Sequence, residues 1–284
     1  MTEKPKAPAR AFDLSNLFGL EKMPEPALDV SHLVPPGNQV ENTGRPASDL
    51  LNLDDKRKVL FVVGAGNTGK TVFLRWACQA PRTPWALLTV DTVNRELVHY
   101  FPNVATPPAG ASAQEWLGRA LEAFLKDTSH SAAIDFGGGD TALPGLAREL
   151  PDLARIMEAA DLHPVLLAFL SPRVSDLTAL KALDDAGFRP RATALVLNLG
   201  RAEGMDAYRP VIGHSVFREA VARGAAIVYM PRLFGAGPAI EQRRISFAAA
   251  AADDGPLAVL DRARVHRWLQ QMDMVFAPIR SWLP

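Results

Sequence analysis

Thiol chemistry is almost missing from this chain, in which Cys78 is the single cysteine. One thiol builds neither a disulfide framework nor a thiolate zinc site within the chain, and the scarcity fits a reducing compartment. The six histidines (His32, His99, His130, His163, His214 and His266) stand far apart, without metal-ligand spacing. Net charge is missing too, with 31 Lys and Arg against 31 Asp and Glu. Composition therefore makes no electrostatic case for a DNA or membrane partner. The arginines of the last third, from Arg209 to Arg267, are mixed with acids such as Glu219, Asp253 and Asp261, which reads as a solvated surface. No stretch reaches the roughly 18 apolar residues of a membrane span. The opening "MTEKPKAPARAFDLSNLFGL" carries charge but no apolar run of signal-peptide length. The cytoplasm is the compartment these absences leave. No internal repeat is present.

What remains is ordinary for a globular protein: 284 residues, 48% hydrophobic and 22% charged. Residues 1–55 are rich in proline, from Pro5 to Pro46, and lack sustained periodicity. They read as an extended arm. Two short apolar clusters interrupt it, "FDLSNLFGL" and "ALDVSHLV"; they either pack on the folded body or dock a partner. From residue 56 to 284 strand and helix patterns alternate. "KVLFVVG", "WALLTVD", "HSAAID", "HPVLLAFL", "ATALVLNLG" and "AAIVYMP" are apolar runs of strand length. Between them the spacing predicts helices over Gly69 to about Ala80, Ser112–Leu125, Leu146–Ala160, Val174–Ala186 and His214–Arg223. Ser112 and Glu115 have capping-box spacing. "ISFAAAAADD" reads as the end of another helix. The final helix is expected to bury Leu257, Leu260, Trp268, Leu269, Met272, Val275 and Phe276 on one face. Strands that are apolar throughout fit a parallel sheet covered on both faces. The expected fold is one doubly wound α/β domain.

Gly64-Ala65-Gly66-Asn67-Thr68-Gly69-Lys70-Thr71 fits G-x-x-x-x-G-K-[ST] in full. Glycines let successive N–H groups turn inward on phosphates, and the following helix adds its unpaired N–H groups and positive dipole end. In such a loop the Lys70 ammonium would neutralise β- and γ-phosphate oxygens, and the Thr71 hydroxyl would bind Mg²⁺. A buried strand before the loop and a helix former after it support nucleotide binding independently. A Mg²⁺-nucleotide site also needs carboxylates. Asp91 closes "WALLTVD" and Asp135 closes "SAAID", the latter followed by Phe136-Gly137-Gly138-Gly139-Asp140. An acid ending a buried strand is costly without a charged partner, which Lys70 and Mg²⁺ would provide. Asp91 is alternatively a turn residue, and Asp140 a helix cap.

With these residues the chain resembles the ParA/MinD-type P-loop ATPases, which position plasmids, division sites and other cargo. "VLFVVGAGNTGKT", "LLTVDTVNREL", "AAIDFGGGD" and "ALVLNLG" carry the resemblance, over roughly residues 56–247. It implies that Asp135 and Gly137 belong to a switch loop, that Asn198 reads the adenine ring, and that Pro231 in "YMPRL" flanks the base. "DTVNRELVHYFPNV" is similar to the switch region of plasmid-transfer and plasmid-stability members. Many members carry a lysine after the first glycine of the loop, reaching across a nucleotide-sandwich dimer; here that position is Ala65. Members also have a second, water-orienting acid two residues after the first, where this chain has Val93. Asp91, Asn94 or Glu96 is left for that role. "NLGR" lacks the acid of a guanine-reading N-K-x-D, which favours adenine.

The expected function is that of a Mg²⁺-ATP-binding switch ATPase in plasmid or cargo partition, stability or transfer. Lys70, Asp91 and Asp135 are its catalytic candidates, Thr71, Asp91 and Asp135 its metal ligands, and Gly64, Gly66, Asn67, Thr68, Gly69, Lys70, Thr71, Gly137, Asn198 and Pro231 its nucleotide contacts. Turnover would be slow, since no catalytic arginine or water-orienting acid is evident. A homodimer on ATP binding and a protein partner or cargo follow from the resemblance. A small-molecule kinase or ligase on the same fold, or a nucleotide-binding scaffold with little hydrolysis, are the alternatives.

Overall fold

A computed structural model describes residues 50–79, 85–91 and 96–284. The apolar clusters of the proline-rich arm and the candidate Asn94 lie outside the described residues.

Six parallel strands form one sheet in the order β2-β3-β1-β4-β5-β6. They are β1 (Arg57–Gly64), β2 (Trp85–Thr89), β3 (Ser131–Asp135), β4 (Leu162–Leu170), β5 (Ala192–Asn198) and β6 (Ala226–Met230). The central strand shows why the runs are apolar throughout. Val59, Phe61 and Val63 of β1 point into one core, and Leu60 and Val62 into the other. Both faces are covered, so from Val59 to Val63 no position on the strand is left for a polar residue.

One face carries α2 (Ala113–Lys126), α3 (Ala142–Glu149), α5 (Leu177–Asp185), the short α6 (Arg209–Ile212) and α7 (Ser215–Ala222). The Ser112 hydroxyl accepts a hydrogen bond from the Glu115 amide at 3.4 Å and starts α2. The other face carries α1 (Lys70–Cys78), α8 (Gly237–Arg243), α9 (Phe247–Ala251) and α10 (Val259–Phe276). Leu53, ahead of β1, is buried in this second core, and Leu51 accepts a 2.6 Å bond from the Trp282 indole near the chain's last residues. This is a doubly wound α/β fold, with the glycine loop between β1 and α1 at the carboxyl edge of the sheet. No described helix is long and apolar enough to cross a membrane.

Three helices differ from expectation. The span Leu146–Ala160 is not one helix. It divides into α3 and α4 (Leu153–Ala159) at Leu150-Pro151, because proline lacks an amide donor and restricts the residue before it. The alanine run is not the tail of a longer helix but the separate, short α9, started by the Ser246 hydroxyl accepting from the Ala249 amide at 3.1 Å. In α10 Leu260 is 70% exposed, whereas Val265 is fully buried. The helix starts only at Val259, so its buried stripe runs through Val265, Trp268, Met272, Val275 and Phe276.

Behind the glycine loop, Phe73 of α1 is completely buried, with ring centroids 5.2 Å from Phe169, 5.1 Å from Phe276 and 5.8 Å from Trp76. Removing that ring leaves a cavity the aromatic neighbours cannot close. Phe73→Ala is expected to cost about 3–5 kcal/mol of stability, read as a lower denaturant midpoint at unchanged slope. A loss within 1 kcal/mol would show that this wall can collapse.

Candidate functional site

The glycine loop folds on itself. The Thr68 hydroxyl donates to Ala65 O at 2.9 Å, and Lys70 Nζ donates to Gly64 O and Ala65 O, each at 2.9 Å. Lys70 is buried, and burial pulls its ammonium pKa below the ordinary lysine value, against the opposing pull of Asp135, Asp91 and Asp176. Gly69 has φ 100°, where a side chain is strained. A methyl there would also overlap the Asn198 amide nitrogen. Glycine is thus required at this position twice over.

Parallel register brings the carboxylates to the same edge. Asp135 sits opposite Val62 of β1 and Thr89 of β2. It is buried and accepts a hydrogen bond from the Thr71 side chain, while its Oδ1 has no partner. Burial pushes its carboxyl up to about 7; Lys70 opposes this, and Asp91 and Glu96 add to it. Asp91 lies two residues beyond β2 and packs on Gly137, where a methyl would come within 2.9 Å of Asp91 Oδ2. Gly138 packs on the glycine loop so closely that a methyl on it would overlap the Gly66 amide nitrogen. The glycines after Asp135 therefore form a bridge between Asp91 and the loop. Asp140, one residue before the N-cap Thr141 of α3, accepts a 2.7 Å bond from the Ala142 amide.

Two cavities open along this edge. The smaller, about 110 Å³, is lined by Gly66–Val72, Asp91, Glu96, Asp135, Phe136, Gly138 and Arg201. The larger, about 480 Å³, includes Asn198, Met230, Pro231, Ile240, Glu241 and Trp268 in its walls. Gly69, Val72 and Arg201 line both, so the two form one cleft with a small polar half and a larger, more apolar half. The Trp268 indole donates to Pro231 O at 3.0 Å and pins the loop after β6.

The predicted residues thus divide three ways. Gly66, Asn67, Thr68, Gly69, Lys70, Thr71, Asp91 and Asp135 surround the small cavity. Asn198 and Pro231 border the large one. Gly64 and Gly137 line neither: Gly64 packs on Phe169 O, and Gly137 sits under Asp91. Asn198 is also a structural tie. Its Nδ2 donates to Thr68 O at 2.8 Å, and its Oδ1 accepts from Gly200 N at 2.9 Å. Sequence reasoning missed Arg201, three residues beyond Asn198, and Arg75. Arg75 is buried in α1 and ion-paired to Glu241 at 2.5 Å, and its guanidinium lies 3.6 Å from the Tyr100 ring centroid. No local pattern marks either arginine: the partners of Arg75 lie on distant elements, and Arg201 reaches the cleft because β5 ends beside the glycine loop.

A divalent cation fits this geometry. The unpaired, buried Asp135 Oδ1, with Thr71 beside it and Asp91 on the same cavity, offers hard oxygen donors of the kind Mg²⁺ takes. No group of three or more His, Cys, Asp or Glu that could hold a metal gathers among the described residues. Phosphate and water would have to complete the coordination, as Mg²⁺ at nucleotide sites commonly has it.

The raised Asp135 pKa has a stability consequence of defined sign. The folded state holds its proton to higher pH than the unfolded chain, so the contribution is full below about pH 4 and is lost as pH rises through about 7. In ligand-free protein, Asp135→Asn is therefore expected to raise the melting temperature at pH 8 more than at pH 5, followed by calorimetry. An equal shift at both pH values would contradict the raised pKa.

No protein-family model matches the chain, and no curated protein matches it. Among solved structures, the chain is similar to the signal recognition particle receptor FtsY from Elizabethkingia anophelis in complex with GDP. The identity is 16% and the TM-score 0.40, over 61% of this chain and 57% of that one. A second structure of FtsY from the same organism gives 17% identity and a TM-score of 0.39, over 62% and 59%. FtsY from Mycoplasma mycoides gives 15% and 0.34, over 53% and 54%. The match therefore spans less than two thirds of each of these proteins.

Proposed function

We propose that this chain is a Mg²⁺-ATP-binding ATPase of the ParA/MinD type, a nucleotide-dependent switch acting in plasmid or cargo partition, stability or transfer. The observation that carries the reading is the pairing of Lys70 with the half-satisfied Asp135 in one small polar cavity that opens directly onto a larger, more apolar one. Phosphates belong in the first, where loop amides and the start of α1 face the anion. A base belongs in the second.

In this reading Lys70 leaves the Gly64 and Ala65 carbonyls and bonds to phosphate oxygens. Thr71 and Asp135 hold the cation, which neutralises charge on the phosphates when bound. Asp91 stays on Gly137, and Glu96 is left facing the same cavity as an orienter of water. The Gly137–Gly139 bridge supports the switch: Gly138 already rests on the Gly66 amide, so a terminal phosphate arriving there moves or fastens it, as switch loops do. Without a lysine at Ala65, dimerisation on ATP proceeds without that contact across the interface.

Lys70→Ala is expected to weaken Mg²⁺-ATP binding by at least a hundredfold in calorimetric titration, while wild type binds ATP in preference to GTP. Equal binding by both proteins would overturn the reading. Wild-type turnover is expected to be slow, well below one per second without a partner, by phosphate release.

A further inference from the structure

The small cavity is short of positive charge. Asp91, Glu96 and Asp135 face it, and the cations lining it are Lys70 and Arg201. Lys70 sits deep under the loop. Arg201 stands at the junction, one of three residues shared by the small and the large cavity. Among the described residues its guanidinium has neither an ion pair nor a hydrogen bond, and it is exposed. The neighbouring Arg232 lines only the large cavity and is turned over the Phe234 ring, 4.9 Å from its centroid.

The position of Arg201 is set by the fold. It ends the 3-10 turn Leu199–Arg201 that follows β5. Asn198 holds this turn through Gly200 N and holds the glycine loop through Thr68 O. The Tyr208 hydroxyl fastens the same strand end, with 2.7 Å to Asn198 O. One side-chain amide thus couples the turn that carries Arg201 to the start of the phosphate-binding helix.

We propose that Arg201 is a phosphate clamp supplied by the same chain, gripping the nucleotide where its phosphates meet its sugar. This rests on the nucleotide-binding reading above. A nucleotide with phosphates in the small cavity and base in the large one places its innermost phosphate at the junction the two share. A guanidinium there offers a fork of donors to non-bridging oxygens. Being at the inner end of the phosphate chain, it acts on nucleoside diphosphates and triphosphates alike. Asn198 is its positioning residue.

The test is calorimetric titration of ADP and ATP, with Mg²⁺, into wild type, Arg201→Ala and Arg201→Lys. Arg201→Ala is expected to weaken both nucleotides by a similar factor, about tenfold or more, at an unchanged melting temperature. Arg201→Lys is expected to restore part of the loss, since it keeps the charge without the fork. Unchanged affinity in Arg201→Ala would overturn the clamp while leaving the nucleotide reading intact. Weakening of ATP alone would also overturn it, moving the residue to the terminal phosphate. A wild type that binds neither nucleotide would overturn the underlying reading and the clamp with it.

Discussion

The structure turns on two opposite charges buried at the carboxyl edge of a parallel sheet. The Lys70 ammonium is satisfied by two carbonyls of its own loop, whereas the Asp135 carboxylate keeps one oxygen without a partner. Each is shifted toward its neutral form, and in both burial outweighs the attraction of the other. Such a pair is weak as a source of stability, because desolvation offsets what the charges gain from each other. In the proposed reading the pair is held ready for a ligand. A phosphate chain and a cation would supply the donors and charge that the folded protein lacks.

The rest of the fold holds that edge in place. The strand carrying the glycine loop is central, flanked by β3 with Asp135 and by β4. Behind the loop, α1 is fixed by an aromatic cluster of Phe73, Trp76, Phe169 and Phe276. In front, Asn198 ties the loop to the far half of the sheet. Arg75 links α1 to Glu241 in the wall of the larger cavity, and Tyr100 bonds to the same carboxylate at 2.9 Å. On the sheet side the small cavity is thus backed by packed and hydrogen-bonded elements. On the other side it borders Gly138 and Glu96, the first residue of the 3-10 turn Glu96–His99.

Much of this was legible in the order of the residues. The strands declared themselves as uninterrupted apolar runs, because both sheet faces are covered. The loop did so because few residue types fit its dihedral angles and its lysine. Asp135 stood out as an acid at the end of a fully buried strand. What was not legible depends on strand order and on partners far along the chain. Nothing local to "ATALVLNLG" says that β5 ends close enough to the loop for Asn198 to bond Thr68 O across 130 positions. Arg201 follows from that same juxtaposition. Nothing local to α1 says that Arg75 is buried, because Glu241 of α8 and Tyr100 meet it from far along the chain. Leu260 looked like core because periodicity alone does not reveal that the helix starts only one residue before it.

The most direct measurement is a crystal structure with Mg²⁺ and a non-hydrolysable ATP analogue. The expected result has Lys70 released from Gly64 O and Ala65 O onto phosphate oxygens, with the cation beside Thr71 and Asp135 and the base in the cavity between Asn198 and Trp268. A nucleotide bound elsewhere on the molecule, with Lys70 still bonded to its own loop, would contradict the central claim.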